Sequence, residues 1–169
     1  MRVMNEEERP LPPARFFYKD PRAPRPNRPI MVGVMALIEC DGRLLLERRS
    51  DCGRWGLVGG AVEMDESLEG ALCREVREET GLSVSAAELF CVFSDPSKIV
   101  AYPDGNVVRV VSFAYRVEVE DFGPLRRGEE STDLRFFSRE ELPGLDIIET
   151  GRPVLKAYFS GAPGTVVLE

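Results

Sequence analysis

The sequence predicts a mixed α/β fold of the α+β kind, and three observations carry the prediction. The apolar run IMVGVMALI (Ile30 to Ile38), the turn residues Asp41 and Gly42 and the run RLLLE together make a hairpin signal. The stretch from Ser67 to Thr80 has helix-favouring positions with a start and a stop. The run VVRVVSFAYRVEVE after Asn106 is a long strand.

In chain order, residues 1–29 hold prolines at 10, 12, 13, 21, 24, 26 and 29, interleaved with Arg15, Arg22, Arg25 and Arg28. Proline lacks a backbone donor and resists helix, so this segment reads as an extended Pro/Arg-rich arm. Within it, ARFFYKD suits an edge strand, on this chain or a partner. Residues 30–162 form the expected single domain and 163–169 a tail. After the hairpin, Asp65 and Ser67 suit helix N-caps and Gly81 sits where a left-handed C-terminal cap belongs, giving a helix over about Ser67 to Thr80. LSVSAAELFCVFS reads as strand and YPDGN (Tyr102 to Asn106) as a turn. In the long strand, Val108, Val110, Ser112, Ala114 and Arg116 share one face and Arg109, Phe113 and Tyr115 the other. DLRFF is a further strand, with helices expected near Ser138 to Leu142 and Thr150 to Phe159.

Composition narrows the chemistry. A chain of 169 residues, 43% hydrophobic and 30% charged, buries one core. The Ile30 to Ile38 run is too short to cross a bilayer and the N-terminus lacks a secretion signal, so a cytoplasmic protein without membrane association is expected. Cys40, Cys52, Cys73 and Cys91 show no CxxC spacing. There is no histidine, which removes histidine bases, histidine-assisted nucleophiles and histidine-zinc sites. Carboxylates must carry any acid-base work. The formal charge of -7 argues against nucleic acid as a partner, whereas a small phosphorylated substrate is compatible if metal and local arginines offset the field.

The helix concentrates that argument. At ~100° per residue, Glu75, Glu78 and Glu79 continue the apolar stripe of Leu68, Ala71 and Leu72. An acidic run is ordinarily a solvated face. Here the face that buries the leucines also aims three like charges at the sheet, spaced to repel and set at the end of the helix where the dipole disfavours them. A cation resolves the conflict, and oxygen donors without nitrogen or sulfur suit Mg2+ or Mn2+. Arg74 can hold Glu78 by an i, i+4 pair, while Arg77 falls on the opposite side.

The run from Gly60 to Leu82 resembles the Nudix box, G-x5-E-x7-R-E-U-x-E-E-x-G-U, with U aliphatic. Gly60, Glu66, Arg74, Glu75, Val76, Glu78, Glu79, Gly81 and Leu82 match without a gap. Val58 stands where related sequences commonly have proline. The resemblance implies a Nudix-like α/β/α sandwich with a mixed β-sheet over about Ile30 to Ser160, leaving the arm outside. It implies a hydrolase, a magnesium- or manganese-dependent pyrophosphohydrolase acting on a nucleoside diphosphate linked to another moiety: a nucleoside triphosphate, a nucleotide sugar or an ADP-ribose-type compound. By the same resemblance, Glu75, Glu79 and the Gly60 carbonyl are metal ligands and Glu78 is a further ligand or the base. Arg74 orients the acids, and Gly59, Glu66 and Gly81 are structural.

Some Nudix enzymes add a glutamate from a late loop, and Glu130 is the candidate, with Glu129 the alternative. Arg48, Arg49, Arg54 and Arg109 are candidate phosphate contacts, since arginine matches phosphate geometry, and Tyr102 is a candidate for base stacking. Trp55 precedes the glycines at a position usual for packing. The rival reading is a non-catalytic Nudix-fold module that binds or senses a nucleotide; loss of a box acid would mark it, and none is lost. The extended arm and exposed strand also suit a homodimer.

Overall fold

The computed structural model describes residues 13–169, so residues 1–12 of the arm lie outside the described part. Strand β1 (Arg15–Phe17) is the predicted edge strand, and it pairs antiparallel on this same chain with β6 (Ile99–Ala101). The hairpin is β2 (Met31–Cys40) and β3 (Arg43–Arg49), joined by Asp41 and Gly42, both in the left-handed region at φ 52° and 74°. That pair of positive φ angles is what an Asp-Gly hairpin turn requires. The remaining elements are β4 (Trp55–Leu57), α1 (Leu68–Thr80), β5 (Val84–Phe93), β7 (Val107–Val119), β8 (Ser131–Phe137), α2 (Arg152–Phe159) and β9 (Val166–Leu168).

The strands run β1-β6-β7-β2-β3-β4, with β5 also on β7, β8 on β3 and β9 parallel to β5. Because β2 runs parallel to β7 while most other pairs are antiparallel, the sheet is mixed, as expected. The helices cover opposite faces. Val34, Ala36, Ile38 and Leu45 pack on Ala71, Leu72 and Val76 of α1, whereas Leu37, Leu44 and Leu46 share a core with Val154 and Leu155 of α2. Alternate residues of β2 and β3 thus serve different helices, and both faces of these strands are apolar.

One expectation needs correction. Ser138 to Leu142 is not a helix but a turn followed by a short 3-10 segment, Leu142–Gly144. Pro143 directly follows the expected helix end and disfavours α geometry at Leu142, and the Glu141 carboxylate accepts a bond from the Ser138 backbone N–H. Residues 166–168 pair as a strand on β5 and residues 15–17 on β6, and both β5 and β6 lie on the side of β7 opposite β2. The alternation of β7 holds along the strand: Ala114 joins the core on the α2 side, and Phe113, Tyr115 and Val117 the core on the α1 side, so that end of the strand is covered on both faces. Among the described residues no helix is long and apolar enough to cross a membrane.

Candidate active site

Helix α1 begins and ends as its sequence dictates. The Ser67 hydroxyl accepts from the Gly70 backbone N–H at 3.0 Å, and Gly81 adopts φ 72° with its N–H on the Arg77 carbonyl. With the register so fixed, Glu75 and Glu79 lie on the buried face, 9% and 5% exposed, beside Ala71, Leu72 and Val76. Glu78 departs from the expected placement: its side chain is 61% exposed. It stands at the rim of the stripe, whose centre shifts towards Val76 and Thr80 once the helix is packed.

Arg74 organises this face, although chiefly through a different partner from the one its spacing suggests. Its Nε and Nη2 donate to the two Glu66 oxygens at 2.6 and 2.9 Å, a bidentate clamp, and Nη1 donates to Glu75 at 2.8 Å. The i, i+4 contact to Glu78 is longer, 3.4 Å. The guanidinium and the Glu63 backbone N–H hold the Glu66 carboxyl down at about 2. Arg74 Nη2 also donates to the Ala61 carbonyl at 3.0 Å, which ties the helix to the glycine loop.

That loop lies along β2: the Val34 N–H donates to Gly60 O at 2.9 Å, Ala36 N–H to Val58 O, and Val62 N–H to Val32 O. Gly59, at φ 144°, donates its N–H to Glu79 Oε2 at 2.8 Å, and a Cβ there would lie 2.1 Å from the Val34 carbonyl oxygen. A Cβ on Gly60 would lie 2.4 Å from Glu75 Oε1. Both glycines therefore let backbone and carboxylates approach at distances that a side chain forbids.

Beneath Glu79 sits an acid that the sequence reading passed over. Glu47 on β3 is 1% exposed; it accepts from the Ser131 hydroxyl at 2.6 Å and lies 3.7 Å from Arg49. Burial raises the Glu47 carboxyl, and burial together with the Glu47 charge raises Glu79. The available signal was parity, since Glu47 and Arg49 share the side of β3 that Leu45 turns towards α1. The loop before β8 closes the far side: Arg126 and Gly128 donate their N–H groups to the Thr80 and Glu79 carbonyls, placing Glu129 and Glu130 beside Glu75, Glu78 and Glu79.

These groups stand at one end of a cleft of about 470 Å3. Gly60, Glu75, Glu78 and Glu130 line the acidic end, and Phe16, Met31, Val100 and Tyr102 are among its apolar walls. Of the four arginines proposed from sequence as phosphate contacts, Arg49 alone lines the cleft, held by Asp51 at 2.8 Å and lying against the Phe16 ring. Arg48 has the opposite parity and donates to the Gly53 carbonyl. Arg54 is consumed by Asp146, Glu149 and the Ile147 carbonyl. Arg109 donates to the Ser94 carbonyl and is likewise absent from the cleft wall. Trp55 packs edge-on against Phe137, with ring centroids 4.8 Å apart. Lys98, which the sequence reading did not single out, lines the cleft.

The donors present are carboxylate and carbonyl oxygens, the set that a hard divalent cation takes. Among the described residues, however, no three carboxylates converge on one point. Glu75 is turned to Arg74, Glu79 to Gly59 and Glu78 to solvent, so joint ligation requires at least the exposed Glu78 to swing inward. The Gly60 carbonyl accepts from Val34 and keeps a second lone pair.

Residues 27–158 match the family model described as NUDIX domain. The chain is 35% identical over 117 residues to an ADP-ribose pyrophosphatase of Methanocaldococcus jannaschii, covering 68% of this chain and 65% of that protein. It is 31% identical over 131 residues to a CTP pyrophosphohydrolase of Escherichia coli, covering 75% and 90%. A MutT-like protein of Streptomyces ambofaciens is 46% identical over 78 residues, so the match spans only 51% of that relative. Among solved structures, a NUDIX hydrolase from Nitrosomonas europaea superposes with a TM-score of 0.64 at 26% identity, covering 84% of this chain and 80% of the other. A MutT NUDIX hydrolase from Burkholderia pseudomallei gives 0.63 at 32% identity, covering 78% and 98%.

Proposed function

The chain belongs to the Nudix family, and from that premise we propose that it is a divalent-metal-dependent pyrophosphohydrolase of a nucleoside diphosphate linked to another moiety. The observation that supports this most is the Glu66-Arg74-Glu75 clamp beside Gly60 at the mouth of the cleft. It fixes a carboxylate beside the glycine loop, through an arginine that also bonds the Ala61 carbonyl, in a cavity large enough for a nucleotide. ADP-ribose, nucleotide sugars and nucleoside triphosphates are the substrate classes to try, given what the relatives are named for.

Glu75, Glu79 and the Gly60 carbonyl are the proposed ligands of Mg2+ or Mn2+, with Glu78 completing the set. The ion, when bound, supplies positive charge to the diphosphate and to an attacking water. The residues themselves do the rest. Glu66 fixes Arg74, Arg74 fixes Glu75, and the Gly59 N–H fixes Glu79, so two of the acids are held in place and Glu78 is the one that must swing inward. Glu78, exposed at the rim, or Glu130, across from it, takes the proton from water as phosphorus is attacked. Phe16 and Tyr102 offer aromatic walls for a base.

Formation of the nucleoside monophosphate from a panel of ADP-ribose, nucleotide sugars and nucleoside triphosphates, resolved by anion-exchange chromatography with and without EDTA, tests the reading. The expected result is hydrolysis of at least one class, abolished by EDTA and restored by Mg2+ or Mn2+. Inactivity across the panel with both metals, or hydrolysis indifferent to EDTA, contradicts it.

A further inference from the structure

Three cations line the cleft, and two are already engaged by acids. Arg74 is held by Glu66 and Glu75, and Arg49 by Asp51 and Glu47. The third, Lys98, is 1% exposed and no carboxylate lies within ion-pair distance of it among the described residues. Its Nζ contacts the Ser112 hydroxyl and lies 4.5 Å from the centroid of the Phe93 ring. An ammonium has three donors, and Ser112 occupies one. Burying a charged amine without a counter-charge is costly, and such a residue persists where something offsets it. Burial accordingly pushes Lys98 from 10.5 down to about 7, with only the Cys91 thiol among titratable groups acting against that.

The position of this group says what the offset is. A Cβ on Gly33 would lie 3.2 Å from the Gly60 carbonyl oxygen and 3.5 Å from Ser112 Oγ. The Lys98-Ser112 pair therefore borders the same gap as Gly60, at the end of the cleft that holds the acids. Gly33 keeps that gap clear. A base carbonyl would satisfy a donor there but leave the charge uncompensated, whereas a phosphate oxygen does both.

We propose that Lys98, oriented by Ser112, is a phosphate-binding residue of the cleft, donating to an anionic oxygen of the substrate's diphosphate beside Gly60. This rests on the pyrophosphohydrolase reading for the substrate, but the anion site can be tested apart from it. Lys98 is also the cleft-lining cation with its charge unspent on a protein carboxylate, in a wall that carries Glu63, Glu75, Glu78 and Glu130.

The probe is inorganic pyrophosphate with Mg2+, titrated calorimetrically into the full chain, wild type and Lys98→Met. Methionine fills similar volume without the buried charge, so the variant is expected to melt no lower than wild type. Its pyrophosphate affinity is expected to fall about tenfold or more, as for loss of a charge-assisted bond, while a nucleoside lacking phosphate binds both proteins equally. Should Lys98→Met fail to fold, Lys98→Gln, which keeps a donor towards Ser112 without the charge, is read the same way. Unchanged pyrophosphate affinity in a folded variant overturns the proposal, as does a wild type that does not bind pyrophosphate. Lys98-dependent pyrophosphate binding in a protein that hydrolyses nothing would sink the enzymatic reading and leave this site standing.

Discussion

Two sets of residues in the cleft are built in different ways. The acidic set comes largely from one continuous stretch, Gly59 to Gly81, in which a capped helix sets every carboxylate by local periodicity. The other set, Phe16, Lys98, Tyr102 and Ser112, comes from three separate parts of the chain through the β1-β6-β7 pairings, with Ser112 brought close to Gly60. In the first set like charges are crowded and need a cation. In the second a cation is buried and needs an anion. A bound diphosphate with its metal would meet both needs at once, which ties the two halves of the account together.

The largest effect is expected from attacking the close approach that joins helix to sheet. Gly59→Ala places a methyl 2.1 Å from the Val34 carbonyl oxygen at φ 144°, a backbone clash that no side-chain rotation relieves. Its melting temperature should fall by about 10 °C or more; a melting curve matching wild type would show that the loop can move off β2. Glu79→Gln should keep the fold and lower kcat by about a hundredfold or more, read from initial rates at saturating Mg2+. Wild-type turnover in that variant would remove Glu79 from the machinery.

Glu66→Gln loosens the clamp on Arg74 without touching substrate, so kcat should fall about tenfold with KM little changed. A KM effect alone would place Glu66 in binding. Smaller still is the pH signature of Lys98. Its folded pKa, about 7, lies below the unfolded 10.5, so the folded state binds fewer protons between these values and the lysine's destabilisation is relieved as pH rises through them. The stability advantage of Lys98→Met over wild type should therefore be largest below pH 7 and shrink towards pH 10, measured by urea unfolding across that range. A pH-independent difference would mean that Lys98 titrates alike in the folded and unfolded states, so that burial does not perturb its charge. Least affected should be Arg54→Ala, whose guanidinium serves Asp146 and Glu149 outside the cleft; kcat/KM is expected within about twofold of wild type.

How much of this could be read from the residues follows the same division. The helix, its caps, the hairpin and the long strand announce themselves by local period and turn chemistry, and the fold class followed from them. Strands β4, β6 and β9 are three residues each, too short to display a period, and they exist only because longer strands offer an edge. At the site, the box residues were legible because a helix puts sequence spacing directly into space. Glu78 was assigned to the buried face because a helical wheel alone cannot say where the centre of the stripe will lie once neighbours pack. Glu47 hid at the polar end of RLLLERR, where only its shared parity with Leu45 distinguishes it from the solvent-facing Arg48. Lys98 carries no local signal, since its burial depends on β5 and β7 coming together around it.

The central claim, that the crowded acids of α1 are there to hold a divalent cation, is met most directly by titrating Mn2+ into wild type and Glu79→Gln and following the paramagnetic signal of the free ion. The account predicts saturable binding to wild type and an affinity at least about tenfold weaker in the variant, consistent with loss of one charged ligand. Equal binding by the two proteins, or none by wild type even with pyrophosphate present, would contradict it.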